Sequence, residues 1–322
     1  MTTRPLVTAM TGVTISTTEP AQLNEILTDL MDWELCCEGD IDKDQERLWG
    51  IETGSAGNSY AVYRSRGATR GMIRVVGGIE RERTRPIGCR WSGVEIVVTA
   101  DLEGLYRSFD AHKHFKMIKA PLEADFSDVG ANIHQAFYGR APGGTHLMFT
   151  MAVTAARDYD FPTADARVGH IFDVPLVSDD FARSLGFYRD QLGMVPLLED
   201  VLTEGIWHEA WDLPLGTRVD LAIIKGDAPD FGLGGIELQG YDGSFIDPIP
   251  VQTHRFDGGS CLTSYTSSDI NATFNAIADS PDATVLSEPR AYAGAPYNGT
   301  SAFCFLGPGG ERVEICENLW QA

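Results

Sequence analysis

GPGGERVEICE, Gly307 to Glu317, decides how the rest of the chain is read. A tight glycine turn runs into a strand whose apolar side chains, Val313 and Ile315, share one face, so Arg312, Glu314 and Cys316 share the other. A carboxylate on the concave side of a sheet needs a partner, whereas one facing water does not. Recurrence of the same turn and strand elsewhere discriminates between these cases.

The pattern recurs three times. GGIELQGY, Gly234 to Tyr241, again runs from glycine into the order apolar, Glu, apolar. APGGTHLMFTM, Ala141 to Met151, repeats the Pro-Gly-Gly turn with Met148 at the place of Glu314, and GMIRVVGG, Gly71 to Gly78, places Arg74 there. Each of these strands closes a segment that opens with a strand, an acidic or polar turn and a helix. The clearest opening is HIFDVPLVSDDFARSLGFYRDQLGM, His170 to Met194. Asp179 or Asp180 serves as N-cap there, Phe181, Leu185, Tyr188 and Leu192 fall on one helical face, and Gly193 ends the helix. MTGVTISTTEPAQLNEILTDLMDW, SGVEIVVTADLEGLYRSF and CLTSYTSSDINATFNAI are parallel openings. Between each opening and its closing strand there is room for two more strands. The sequence therefore predicts an α+β chain of four βαβββ units, at about 6–78, 90–151, 168–241 and 258–318. The polar, Pro-containing stretch 152–167 reads as a linker between an N-terminal domain, 1–151, and a C-terminal domain, 168–322.

Bulk properties bound the function. A chain of 322 residues with 43% hydrophobic side chains has the material for real cores. A formal charge of −21 repels phosphate backbones and anionic lipid, which argues against nucleic acid or a membrane surface as partner. No stretch approaches the roughly 20 apolar residues that span a bilayer, and the six cysteines form no CxxC pair. The expectation is a cytoplasmic protein with reduced thiols. No GxSxG elbow, P-loop or strand-following GxGxxG is present.

VSDDFARSLGFYRDQLG with GIELQGY, and SSDINATFNAI with PYNGTSAFCFLGPGGERVEICE, resemble the vicinal oxygen chelate superfamily: glyoxalase I, methylmalonyl-CoA epimerase, extradiol dioxygenases and bleomycin- or fosfomycin-resistance proteins. The resemblance implies paired βαβββ units forming cups of curved mixed sheet, here two glyoxalase-like domains. Metal ligands project into such a cup from the first and last strands of each unit. Carried over position by position, the last-strand sites are Glu237 and Glu314, and the first-strand sites are Asp173 and Leu262, where the family usually has His. In the first half the same positions fall at Gly12, Arg74, Val94 and Met148, which make no hard-metal site. The N-terminal cup is therefore expected to be structural and the C-terminal cup active.

Glu237 and Glu314 facing one cavity would repel each other, so they would need a divalent cation or a shared proton. With Asp173 they form an oxygen set for Fe, Mn, Zn or Mg. Glu237, Glu314 and His208, in TEGIWHEAWDL on an expected middle strand, are the candidate catalytic groups. Tyr297 and His170 are candidate substrate contacts, and His254 could replace the ligand missing at Leu262. The resemblance implies a glyoxalase-type lyase or isomerase that acts on a small oxygenated substrate. The alternatives are an extradiol-type dioxygenase and a metal-free binding or resistance protein. A homodimer is compatible with any of these.

Overall fold

A computed structural model of the chain describes residues 6–51, 58–78, 87, 90–127, 132–154, 162–226, 235–246, 254–256 and 258–321. All four units are present. The first holds β1 (Val7–Thr17), α1 (Pro20–Glu25), β2 (Glu34–Asp40), α2 (Lys43–Trp49), β3 (Ser59–Arg64) and β4 (Met72–Gly77). The second opens with β5 (Arg90–Trp91) and β6 (Gly93–Val98), followed by α3 (Leu102–Asp110), β7 (Lys116–Asp125), β8 (Ile133–Arg140) and β9 (His146–Ala152). The third opens with β10 (Val168–Asp173) and β11 (Pro175–Ser178), then α4 (Phe181–Gly186), β12 (Val195–Leu202), α5 (Ile206–Trp211), β13 (Val219–Lys225) and β14 (Ile236–Tyr241). The fourth contains β15 (Gly259–Ser267), α6 (Ile270–Ala278), β16 (Thr284–Val285), β17 (Arg290–Ala291), β18 (Ser301–Leu306) and β19 (Arg312–Cys316).

Local chemistry sets these elements. Asp180 caps α4 by accepting from the Arg183 amide at 3.1 Å, and Asp269 caps α6 through the Ala272 amide at 2.9 Å. Asp42 and Gln45 form a reciprocal capping box at the start of α2, and Gly50 ends that helix at φ 60°. The opening turn closes through Gly307 N to Glu311 O at 2.8 Å, with Gly310 at φ 79°. A side chain there would be strained.

The units pair differently from the sequence expectation. β1 of the first unit runs antiparallel to β15 of the fourth, with Val13 opposite Thr263. One sheet therefore has the order β16, β18, β19, β15, β1, β4, β3, β2. β6 and β5 of the second unit pair with β10 and β11 of the third, linking two five-stranded sheets through Val174. The cups thus combine units one with four and two with three. The halves 1–151 and 168–322 each contribute one unit to both, so the expected C-terminal cup of units three and four is corrected. Repeats define units but carry no mark of which opening strand lies beside which. Residues 155–161 of the expected linker lie outside the described residues.

Side-chain alternation divides the interior into layers. Val13, Ile15, Ile73, Val75, Val313 and Ile315 join the core on the helix-facing side of the first sheet. Met72, Val76, Leu262 and Cys316 face into the cup of units one and four, with Trp49, Tyr297 and Trp320. Tyr138, Met148, Trp207, Trp211 and Tyr241 fill the cup of units two and three.

Candidate functional site

Glu314 and Glu237 both face inward, 0% and 2% exposed, but into different cups. That separation is the main correction to the expected site, and it follows from the pairing of the units.

In the cup of units one and four, Glu314 is enclosed by donors. Its Oε2 accepts from Trp49 Nε1 at 2.8 Å and Tyr297 Oη at 2.7 Å, and its Oε1 accepts from Ser264 Oγ at 2.8 Å. Arg74 Nη2 lies 3.6 Å from Oε2, with both side chains fully buried. The guanidinium donates through Nε to Thr14 Oγ1 at 2.9 Å and through Nη1 to Tyr297 Oη at 2.8 Å. The rings of Trp49 and Trp320 flank it at 4.5 and 4.6 Å. Burial opposes the charge on Arg74, but Tyr297 and Glu314 outweigh it and its proton affinity is raised. The cation facing Glu314 is therefore supplied by the chain itself.

Register explains two further corrections. Ser264, not Leu262, stands opposite Glu314, and Thr14, not Gly12, stands opposite Arg74. Gly12 instead makes room for Trp320: a Cβ there would come within 2.7 Å of that ring. Tyr297, expected to contact substrate, is fully buried within the Arg74 network.

The cup of units two and three contains the carboxylate cluster. Glu95 on β6, Asp173 at the end of β10 and Glu237 on β14 present oxygens within 4.8 Å of one another. β6 and β10 run antiparallel with Asp173 opposite Glu95, and a register irregularity between Ile171 and Asp173 delivers the aspartate at the junction with β11. Glu237 stands opposite Pro175 on the neighbouring strand. Asp173 Oδ1 accepts from the Val174 amide at 2.7 Å, Glu95 Oε1 accepts from Thr150 Oγ1, and Glu237 Oε1 accepts from Gln239 Nε2.

Electrostatics here favour protons or a cation. Burial pushes Glu237 up to about 8, with the charge of Glu95 adding to it. Burial pushes Glu95 up to about 7. Asp173 is raised well above the usual carboxylate range by burial, then by Glu237 and Glu95. Among the described residues, the largest influences on the three are burial, one another and neutral hydrogen-bond donors. The oxygens, their spacing and this clustered acidity suit a hard divalent ion.

Sequence reasoning missed Glu95 and placed Val94 at its position. Val94 belongs to the helix-facing core, one residue out of register. The signal was available: Val94-Glu95-Ile96 repeats the Val313-Glu314-Ile315 pattern. Met148 stands opposite Glu95 on β9 and offers no charge.

Three histidines lie outside the acidic cluster. His208 is on α5, not on a strand, and its Nε2 donates to the Thr217 carbonyl at 2.7 Å. That bond places the lone pair of the neutral ring on Nδ1. His170 is buried on β10 against the Gly71 turn, where an added Cβ would meet its own Cβ at 3.0 Å. His254 is exposed.

Among the described residues, no helix is long and apolar enough to cross a membrane. No family model matches the chain, and no curated protein matches it. Solved structures do. A point mutant of glyoxalase I from Zea mays superposes with a TM-score of 0.64 at 16% identity, covering 96% of this chain and 92% of that one. The unmutated Zea mays enzyme gives 0.61 at 16% identity over 96% and 92%. A Bacillus subtilis protein provisionally assigned as a dioxygenase gives 0.60 at 13% identity over 98% and 86%. At such identities the likeness speaks for the fold, and four βαβββ units closing two cups, with superposition along nearly the whole chain, give this protein the vicinal oxygen chelate fold.

Proposed function

We propose that the protein is a glyoxalase-type lyase or isomerase, acting on a small oxygenated substrate in the cup of units two and three. One observation carries this reading: three buried carboxylates converge, and among the described residues burial and one another are the main influences raising their proton affinity. Glu95, Asp173 and Glu237 would hold a divalent cation, from among Mn, Mg, Fe and Zn. Such an ion supplies Lewis-acid polarisation of adjacent substrate oxygens. Glu237 holds or moves the substrate proton through the oxygen not bound to Gln239. Trp207 and Trp211, projected by α5 into the cup, restrict water around the acids.

The extradiol reading is weaker because the converging set contains no histidine, whereas ferrous ring-cleaving chemistry favours two His and one carboxylate. A metal-free binding protein is the remaining alternative, and metal content separates it from the enzyme.

The test is metal analysis of purified protein, followed by titration with Mn(II). One ion per chain is expected, lost in Glu95→Gln, Asp173→Asn and Glu237→Gln but retained in Glu314→Gln and His208→Asn. Wild-type protein that takes up no divalent ion refutes the metal reading. Solvent deuterium appearing at carbon next to a substrate carbonyl under anaerobic conditions supports proton transfer. Turnover that stops without oxygen supports the dioxygenase instead.

A further inference from the structure

β14 carries three polar side chains in a row on its cup-facing side, Glu237, Gln239 and Tyr241, because alternate strand residues share a face. Their neighbours Ile236 and Leu238 enter the helix-side core. All three polar side chains are buried, and they form a chain of donors. Tyr241 Oη donates to Gln239 Oε1 at 2.8 Å, and Gln239 Nε2 donates to Glu237 Oε1.

The direction of this chain has a chemical cause. An amide has one accepting end and one donating end. With the phenol O–H engaged by the carbonyl oxygen, the amide NH2 faces the carboxylate. The reversed amide would set two acceptors against each other beside Glu237. An ionised Glu237, which only accepts, selects this amide orientation; the Tyr241 hydroxyl holds the far end, and the amide fixes one oxygen of the glutamate. Glu95 receives a comparable neutral donor from Thr150 Oγ1. Each glutamate thus has one oxygen held by a neutral strand neighbour, while Trp207 and the Glu95–Glu237 contact also act on Glu237.

We infer that Gln239 and Tyr241 are positioning residues for the acidic site: they tether Glu237 Oε1 and leave the other oxygen for a cation or a substrate proton. This inference rests on the metal-site reading above. Partners of this kind behind a ligand govern its orientation, and their loss typically weakens metal binding by about 10- to 100-fold.

The experiment compares wild type, Tyr241→Phe and Gln239→Met by Mn(II) electron paramagnetic resonance, reading affinity from the free-ion signal and ligand geometry from the bound-ion line shape. Metal-free melting curves run alongside. Gln239→Met removes the donor and is expected to weaken Mn(II) binding by about 10- to 100-fold. Tyr241→Phe only releases the amide and should show a smaller loss in the same direction. Both should alter the bound-ion line shape, with Tyr241→Phe melting close to wild type. If Gln239→Met does not fold, Tyr241→Phe, one oxygen atom smaller, decides the matter. Wild-type affinity and line shape in a folded variant would overturn the inference while leaving the metal site standing. Wild type that binds no Mn(II) would overturn both.

Discussion

Replacing Arg74 by Met removes the cation that faces Glu314 and leaves a carboxylate with no exposed surface. At 3.6 Å and an effective dielectric of roughly 20, the pair attracts by about 5 kcal/mol. Desolvation of both ions offsets part of this in the wild type, but the variant still bears the cost of a buried charge. Loss of one partner from such a pair typically costs about 3 to 5 kcal/mol. Donors from Trp49, Tyr297 and Ser264 remain on Glu314 and favour the lower end of that range. The flanking of the guanidinium by Trp49 and Trp320 favours the upper end. A loss of about 4 kcal/mol should lower the melting temperature by roughly 6 °C. Adding Glu314→Gln removes the stranded charge and should restore at least about 2 kcal/mol, measured as a coupling energy in a denaturant double-mutant cycle. Metal content should not change, since the acidic cluster lies in the other cup. An Arg74→Met protein melting within about 2 °C of wild type, or a double variant less stable than the single, would refute the internal-cation account.

Proton affinities raised in the fold have a definite sign in stability. Glu95 and Glu237, raised to about 7 and about 8, and Asp173, higher than usual, hold protons in the folded chain that the unfolded chain has already released. The metal-free protein should therefore lose stability as pH rises from about 5 to above 8, by roughly a kcal/mol per pH unit for each retained proton. Thermal melts in chelator measure this, and Glu95→Gln should flatten the decline; a metal-free melting temperature that stays constant across the window contradicts it. Gly12→Ala places a Cβ 2.6 Å from the Met72 carbonyl oxygen and 2.7 Å from the Trp320 ring. Overpacking at that contact should cost about 1 to 3 kcal/mol in a urea titration, and an unchanged midpoint would show that the ring moves aside freely.

The repeated glycine turns revealed four units because each turn fixes where a strand begins, and the strand's own alternation then shows which side Glu237 or Glu314 takes. Asp179 or Asp180 marked a helix start for a similarly local reason, and Asp180 is the residue whose side-chain oxygen accepts from an amide three residues on. Register along the opening strands was harder. β6 and β15 are buried at every residue, so their apolar and polar positions give no clean alternation. That is why Val94 stood in for Glu95 and Leu262 for Ser264. Asp173, expected on the opening strand of the third unit, lies at the end of β10, and its acidic neighbours come from both halves of the chain. Choice of neighbour between opening strands depends on long-range edge complementarity, which no short window of sequence displays.

The pairing of Val7 with Ser267 also sets an order of events during synthesis. Strands β5 to β14 have all their partners within one central stretch of polypeptide, so that portion can close while the remainder is still being made. β1 emerges before that stretch and waits with one long edge bare until β15 arrives about 250 residues later. β1 and β15 therefore meet after the central sheets can have formed, and the sheet they share is completed only once β15 has been made.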